Sequence, residues 1–369
     1  MLIKKLTLSN YRNILFQNMD FTGDINLIIE YNSQGKTNIL EAIFFLSTGR
    51  SFRNRKDQYI VKTGENESKI MCSIDTGILL KDLKILINLG RSNQFFINEK
   101  QISKATDYIG NLNAMLIAPE DLLLVKSDSQ IRRRFMDIAI SQINRKYLKY
   151  ITDVYKCTRQ RNYLIREKPY KNSVQNEMKI WEDQIIEKSE HVCQKRMEFI
   201  QYIDCFTQNR YEKMTSGREK TRIFYLPGIT NDIVIKSGKY YQEGLIDAYN
   251  KNRELEIKRG ASMYGPHRDD FLIELNGNNA KHYGSQGQQR SLVVSMKLAE
   301  WDFLCESLRY SPVLLVDDIF AELDDKRRSF LLEQFPGNTQ MFITGTRKDD
   351  FPGLLDRAHL WTIADGKVT

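Results

Sequence analysis

Histidine is scarce, with 4 residues in 369, and none of them stands at a spacing that would hold a metal. Cysteine is nearly as rare. The 5 residues, Cys72, Cys157, Cys193, Cys205 and Cys305, form an odd, widely spaced set with no CxxC pair. That pattern excludes a disulfide framework and a zinc site, and it fits a reducing cytoplasmic setting. No apolar run approaches the roughly 18–20 residues needed to cross a bilayer, so no membrane is expected as a partner. The opening Met1-Leu2-Ile3-Lys4-Lys5-Leu6-Thr7-Leu8 alternates apolar and polar residues and predicts a strand, not a secretion signal. Internal repeats and low-complexity tracts are also missing.

What is there is a globular composition. Hydrophobic residues make up 41% and charged residues 28%, enough to bury a core and too apolar for a disordered chain. At about 150 residues per domain, the length implies two or three structural units. Lysine and arginine number 55 against 47 acids, and the formal charge of +8 leans toward a polyanionic partner.

Texture changes along the chain. Leu6-Thr7-Leu8 and Ile25–Ile29 read as strands. Ile70–Ile74, Leu83–Leu89 and Phe95–Ile97, broken by Asp75-Thr76-Gly77 and Gly90-Arg91-Ser92-Asn93, predict an antiparallel meander. From about Ile131 to Asp204 apolar residues recur at helical intervals, and Lys168-Pro169-Tyr170 predicts a turn between two long helices packed as a hairpin. Strands return near Tyr264: Phe271–Leu275 alternates and Asn276-Gly277 signals a hairpin. A helix is expected over Gln288–Cys305. The unbroken runs Val313–Val316 and Met341–Thr344 have the pattern of parallel strands buried on both faces.

Three segments carry chemistry. Glu30, Tyr31, Asn32, Ser33, Gln34, Gly35, Lys36 and Thr37 lie between a strand and an apolar-periodic helix, the setting of a phosphate-binding loop. There backbone N–H groups face phosphates, Lys36 reaches the outer oxygens and the Thr37 hydroxyl meets Mg²⁺. Glu30 occupies the usual first glycine position and Ser33 another, so a carboxylate and a Cβ stand where neither is favoured. Asp317 and Asp318 end an apolar strand. In a P-loop fold Asp317 holds the Mg²⁺ and Asp318 orients or deprotonates the attacking water. Tyr283–Arg290 places Ser285, Gly287 and Gln288 before a helix, which makes either an anion site or an ordinary serine N-cap.

Together with further blocks, these segments resemble the RecF family, bacterial DNA-repair ATPases related to the SMC heads. The further blocks are Asn10-Tyr11-Arg12-Asn13, Asn38–Ile43, Gly49–Arg53, Ala118–Leu122, Arg132–Asp137, Tyr264–Asp270 and Asp317–Asp324, in the family's order nearly end to end. The resemblance implies an α/β fold: an ABC-type P-loop ATPase lobe, with a mixed sheet, helices and an antiparallel β meander, carrying an inserted α-helical lobe. The expected division is 1–125 and 251–369 for the ATPase lobe and 126–250 for the helical insert. The resemblance also implies ATP and Mg²⁺ as ligands, and a homodimer that closes head to tail on two ATP molecules. Ser285, Gly287 and Gln288 would face the γ-phosphate held by the other copy, and Asp324 would knit the copies together. Arg12 would reach the phosphates, and Glu120 would link nucleotide to the helical lobe. The implied function is recognition of gapped DNA or single/double-strand junctions. With RecO and RecR, this promotes RecA loading in repair, replication restart and the SOS response.

The altered loop and the absence of histidine from Thr344-Gly345-Thr346 predict slow, weak DNA-dependent hydrolysis. Candidate DNA contacts are Arg50, Arg53, Arg55 and Lys56, with Arg132, Arg133 and Arg134 as a second basic run that could equally brace the nucleotide lobe. No aromatic interleaving suggests base stacking, so backbone and shape reading is expected. Two other readings stand beside this one: a non-hydrolysing DNA-binding scaffold with a degenerate loop, and an ABC transporter ATPase subunit.

Overall fold

In the computed structural model, which describes residues 1–29, 35–53, 57–167, 172–229, 238–318, 333–347, 351, 355, 357–364 and 367–368, the alternating N-terminal segment forms strand β1 (Leu2–Tyr11). It is followed by β2 (Ile14–Asp20), β3 (Ile25–Ile29), helix α1 (Lys36–Thr48), β4 (Glu67–Asp75), β5 (Leu80–Asn88), β6 (Gln94–Ile97) and β7 (Lys100–Ile102). The helical turn α2 (Ala105–Tyr108) leads to β8 (Ala114–Ile117). Next come α3 (Leu123–Lys126), α4 (Ser129–Ile143), α5 (Arg145–Glu167), α6 (Asn172–Thr215), β9 (Thr221–Leu226) and α7 (Gly238–Arg259). β10 (Asp270–Leu275), β11 (Asn278–Asn279), α8 (Ala280–Tyr283) and α9 (Gln286–Leu308) complete the middle of the chain. The last strands are β12 (Val313–Val316), β13 (Met341–Gly345), β14 (Ala358–Ala364) and β15 (Lys367–Val368). Residues 1–121 with 304–369 form one unit and 122–303 a second.

Two sheets build the first unit. The antiparallel one runs β2-β1-β4-β5-β6-β7. Burial alternates along β4 and β5, so one face meets the core and the other solvent, and the expected meander falls on β4, β5 and β6. The other runs β15-β14-β3-β13-β12-β8, parallel from β14 to β8. Every residue of β3, β12 and β13 is buried, which is why apolar side chains dominate these strands, with Asn26 and Thr344 as the polar exceptions. Strands from opposite ends of the chain thereby become neighbours, with Thr344 opposite Ile28 and Ile343 opposite Val316. Gln340 ties the two sheets: its Oε1 accepts the Ile3 N–H at 2.6 Å and its Nε2 donates to the Ile3 carbonyl at 2.8 Å.

The second unit carries the helices. α5 and α6 flank the expected break at Lys168-Pro169-Tyr170, which lies outside the described residues. They pack together as foreseen, but α4 and α7 join them, so the block is larger than a two-helix hairpin. The periodicity ran on through the junction of α4 and α5 because no proline or glycine marks it. Asn144 makes the break instead, its side-chain oxygen accepting the Tyr147 N–H at 2.8 Å. Asn276 and Gly277, at φ 50° and 78°, turn β10 into β11 as the dipeptide predicts. Phe271, Ile273 and Leu275 of β10 and Leu292 and Met296 of α9 share one core with Phe135 of α4 and Phe199 of α6. Residues 251–303, assigned from sequence to the ATPase lobe, therefore pack within the second unit.

This unit buries ions. Arg196, wholly withdrawn from solvent, donates to Asp137 at 2.8 Å, Asp269 at 2.7 Å, the Tyr147 hydroxyl at 2.9 Å and the Pro266 carbonyl at 2.6 Å. Asp269 accepts further bonds from Gly228 N and Tyr241 Oη, both at 2.7 Å, and from Tyr225 Oη. Arg161 binds Glu182 at 2.8 Å, Glu256 at 2.5 Å and Ser262 Oγ at 2.7 Å. Cations inside a core hold only while every partner is present. Replacing Arg196 by methionine strands Asp137 and Asp269 and should cost about 3–5 kcal/mol in denaturant unfolding. Lys251→Ala, which opens an exposed pair with Asp247, should cost about 0–1 kcal/mol.

Candidate functional site

The parallel sheet sets the site. β3, β12 and β13 all end at the same edge, and three chemically distinct segments follow them there. After β3 the chain passes through residues 30–34, which lie outside the described residues, and re-enters at Gly35, whose φ of 140° only glycine accepts without strain. Lys36 and Thr37 then open α1. β12 delivers Asp317 and Asp318, and β13 delivers Thr344.

One oxygen collects these groups. Asp317 Oδ1 accepts hydrogen bonds from Thr37 Oγ1 at 3.0 Å and from Thr344 Oγ1 at 2.8 Å. The same Thr344 oxygen accepts the Asp318 N–H at 3.0 Å. Lys36 Nζ donates to Asp318 Oδ2 at 2.9 Å. Asp318 itself sits at φ 47°, a left-handed conformation that costs a non-glycine residue on the order of 1 kcal/mol and that these bonds hold in place. Asp317 is 5% exposed. Burial pushes its carboxyl above the usual range; the Thr344 and Thr37 hydroxyls pull it back, and the Glu120 and Asp318 charges push it up again. Glu120, exposed in the short 3₁₀ turn Pro119–Leu122, is thereby an electrostatic neighbour of the site.

A second network braces α1. Arg12 grips Glu41 with two bonds, Nε to Oε2 at 2.8 Å and Nη2 to Oε1 at 2.5 Å, and donates Nη1 to the Tyr59 carbonyl at 2.6 Å. Ser51 Oγ adds a bond to the same buried carboxylate. Asn38 links Asn13 at 2.7 Å to Arg53 at 3.0 Å. Arg12, expected at the phosphates, pairs with Glu41, and Arg53, expected at DNA, bonds Asn38 of α1. Arg50 is exposed. Of the run Arg132–Arg134, Arg132 forks onto Asp270 at 2.6 and 2.8 Å and Arg133 donates to the Asp269 carbonyl at 2.7 Å, both within the second unit.

Ser285, Gly287 and Gln288 belong to the second unit. Ser285 is exposed and caps α9 reciprocally with Gln288, Ser285 N donating to Gln288 Oε1 at 2.7 Å and Gln288 N to Ser285 Oγ at 3.3 Å. Gln288 Nε2 also reaches Glu219 Oε1 at 2.7 Å, and Tyr211 Oη holds the other oxygen of Glu219 at 2.5 Å. Glu30, Tyr31, Asn32, Ser33, Gln34, Arg55, Lys56 and Asp324 lie outside the described residues. Two residues escaped the sequence reading. Thr344 was noticed only for not being histidine; its signal is a hydroxyl at the end of a buried strand. Glu219 has no signal in the sequence.

The donor set at the sheet edge is hydroxyl and carboxylate oxygen, the hard chemistry that suits Mg²⁺, and a buried carboxylate pushed toward its neutral form is stabilised as an anion by a cation beside it. Because the Asp317 pKa is raised, a cation must displace its proton at low pH. Calorimetric Mg²⁺ titration should show binding strengthening from about pH 5 to about pH 7.5. Thr344→Val, which removes a bond favouring the anion, should move that dependence to higher pH.

The family model of the RecF/RecN/SMC N-terminal domain matches residues 2–358. The DNA replication and repair protein RecF of Acetivibrio thermocellus is 36% identical over 351 residues, 95% of each chain. That of Shouchella clausii is 35% identical over 370 residues, covering 100% of this chain and 99% of its own. Among solved structures, the recombination mediator protein RecF with ATP, in the RecFOR pathway, superposes with a TM-score of 0.91 at 29% identity, covering 100% of this chain and 96% of that one. The fold is the mixed α/β fold of the ABC-type ATPase heads, and the chain belongs to the RecF family.

Proposed function

We propose that this chain is an ATP-gated DNA-binding protein of RecF type, acting in DNA replication and repair in the cytoplasm. The observation that carries the reading is the convergence of Lys36, Thr37, Asp317 and Thr344 on one sheet edge beside the N-terminus of α1. A helix N-terminus, a lysine and a hydroxyl–carboxylate pair are what a triphosphate with its metal requires. Lys36 would meet the β- and γ-oxygens, Thr37 and Asp317 would hold the metal, and the segment 30–35 is assigned to the phosphates. Bound Mg²⁺ supplies charge neutralisation of the phosphates.

The ion pair between Lys36 and Asp318 makes arrival of nucleotide a switch. Phosphate oxygens replace Asp318 on Lys36, and the released carboxylate is free to orient or deprotonate water. Ser285, Gly287 and Gln288 of a second copy complete the pocket around the γ-phosphate, with Asp324 knitting the copies together. The closed homodimer recognises gapped DNA or a single/double-strand junction and, with RecO and RecR, promotes RecA loading in repair and the SOS response. The family membership and the name of the RecFOR pathway on the ATP-containing relative support this reading. Hydrolysis is slow, because Glu30 and Ser33 depart from the glycine-rich loop.

Light scattering with and without MgATP tests the reading. The wild-type chain should shift from monomer to dimer, and Lys36→Ala should abolish the shift. Asp318→Asn should prolong the dimer, by about 100-fold if it removes a general base. A wild-type chain that binds DNA but does not respond to MgATP would leave the non-hydrolysing scaffold in its place.

A further inference from the structure

The exposed face of α5 has no role in the site described above, and its composition is unlike that of its neighbours. Arg145, Lys149, Lys156, Arg159 and Arg166 are all exposed and stand 0, 4, 11, 14 and 21 positions along the helix, a single stripe at helical spacing. At 1.5 Å per residue the stripe is about 32 Å long. From Arg145 to Arg166 no acidic side chain lies on it, and Glu167 closes it at the C-terminal end. Asp153 is on the flank. The opposite face, with Tyr147, Ile151, Val154 and Ile165, is buried in the second unit. On α6 the exposed charges are mainly acidic, with Glu177, Asp183, Glu187, Glu190, Glu198 and Glu212 against Lys179 and Lys213.

Helix stability does not account for these cations. Arg145 and Lys146 lie in the first turn, where the positive end of the helix dipole repels them. Arg145 and Lys149 form a like-charge pair four residues apart, which also weakens a helix. Among the described residues Arg145, Lys149, Lys156 and Arg159 make no ion pair, whereas Lys251 on α7 and Arg210 on α6 do. A cost accepted without an internal partner calls for an external one of opposite charge.

We propose that the outer face of α5 is a docking surface for the phosphate backbone of duplex DNA. Length and sign favour this occupant: about 32 Å of predominantly positive charge spans roughly one turn of duplex, about 34 Å. Tyr163 is the one aromatic ring among the exposed residues of the helix, so the face offers too few stacking platforms to hold single strands by their bases. Nor does it present the apolar side that a helix needs to lie in a lipid surface. Contact through phosphates makes the recognition independent of base sequence. The inference rests on the DNA-binding reading above and assigns it a surface that the sequence candidates, Arg50, Arg53, Arg55 and Lys56, do not include.

The test compares the full-length wild-type chain with a variant combining Arg145→Ala, Lys149→Ala, Lys156→Ala and Arg159→Ala. A second variant, Lys179→Ala with Lys251→Ala, removes cations elsewhere on the same unit. Anisotropy of a fluorescent duplex is measured across a salt series, with circular dichroism and MgATP-dependent light scattering as controls for folding and dimerisation. The four-site variant should bind at least about tenfold more weakly at low salt. Its slope of log affinity against log salt should flatten by about 3–4 units, since each phosphate contact contributes about 0.9. The control variant should match wild type. If wild type binds duplex and the four-site variant binds it equally with the same slope, the docking surface is refuted while the DNA-binding function stands. Weaker binding with an unchanged slope refutes it as well, because no phosphate contact was then lost. Vesicles of anionic phospholipid that need the four cations when duplex does not would reassign the face to a membrane. A wild-type chain that binds no duplex at any salt removes both readings.

Discussion

A single carboxylate, Asp317, sets the terms for the first unit. It is nearly closed off from water, its proton is correspondingly hard to remove, and two hydroxyls share one of its oxygens. Those hydroxyls come from α1 and β13, so the position of the helix and the register of the sheet are both expressed in the geometry of one atom. Any slip of β13 against β12 would carry Thr344 away from Asp317 and release the N–H of Asp318 at the same time. The chemistry of the edge thus depends on parallel pairing between strands that lie far apart along the chain. That pairing in turn depends on uninterrupted apolar runs buried on both faces.

Charge is handled differently in the two units. At the sheet edge, Lys36 and Asp318 form a part-exposed pair. In the second unit, Arg161 and Arg196 are enclosed, with each guanidinium nitrogen bonded to a carboxylate, hydroxyl or carbonyl. Buried pairs of that kind add little net stability over a hydrophobic core, but they punish incorrect packing severely. The blocks Arg132–Asp137 and Tyr264–Asp270, part of what identifies the family by sequence, turn out to meet around Arg196 and Asp269. Their residues contribute to the packing of the second unit.

Between the helical arm and the Ser285–Gln288 segment runs a short chain of contacts. Tyr211 near the end of α6 holds Glu219, and Glu219 holds the side chain of Gln288 at the start of α9. The serine N-cap and the anion site that the sequence left as alternatives are compatible. A capping box orders the turn, leaves the Ser285 side chain at the surface, and gives Gln288 a second partner that fixes its orientation.

Much of this was readable without coordinates, because it is local or periodic. Burial on both faces of a strand demands the unbroken runs at Val313–Val316 and Met341–Thr344. The Asn276-Gly277 dipeptide demands a turn, and the apolar spacing of Ile39, Leu40, Ile43 and Phe44 demands the helix α1. Other features depend on side chains meeting across sequence distance, which no spacing encodes. Thr344 acquires its role only when β13 lies beside β12. Arg12 is diverted to Glu41 by the approach of β1 to α1, and residues 251–303 join the helices because β10 shares a core with Phe135 and Phe199. The physical reason is that hydrophobic periodicity selects which face is buried, whereas the partner found in the interior is decided by packing and by the need to satisfy each buried polar atom.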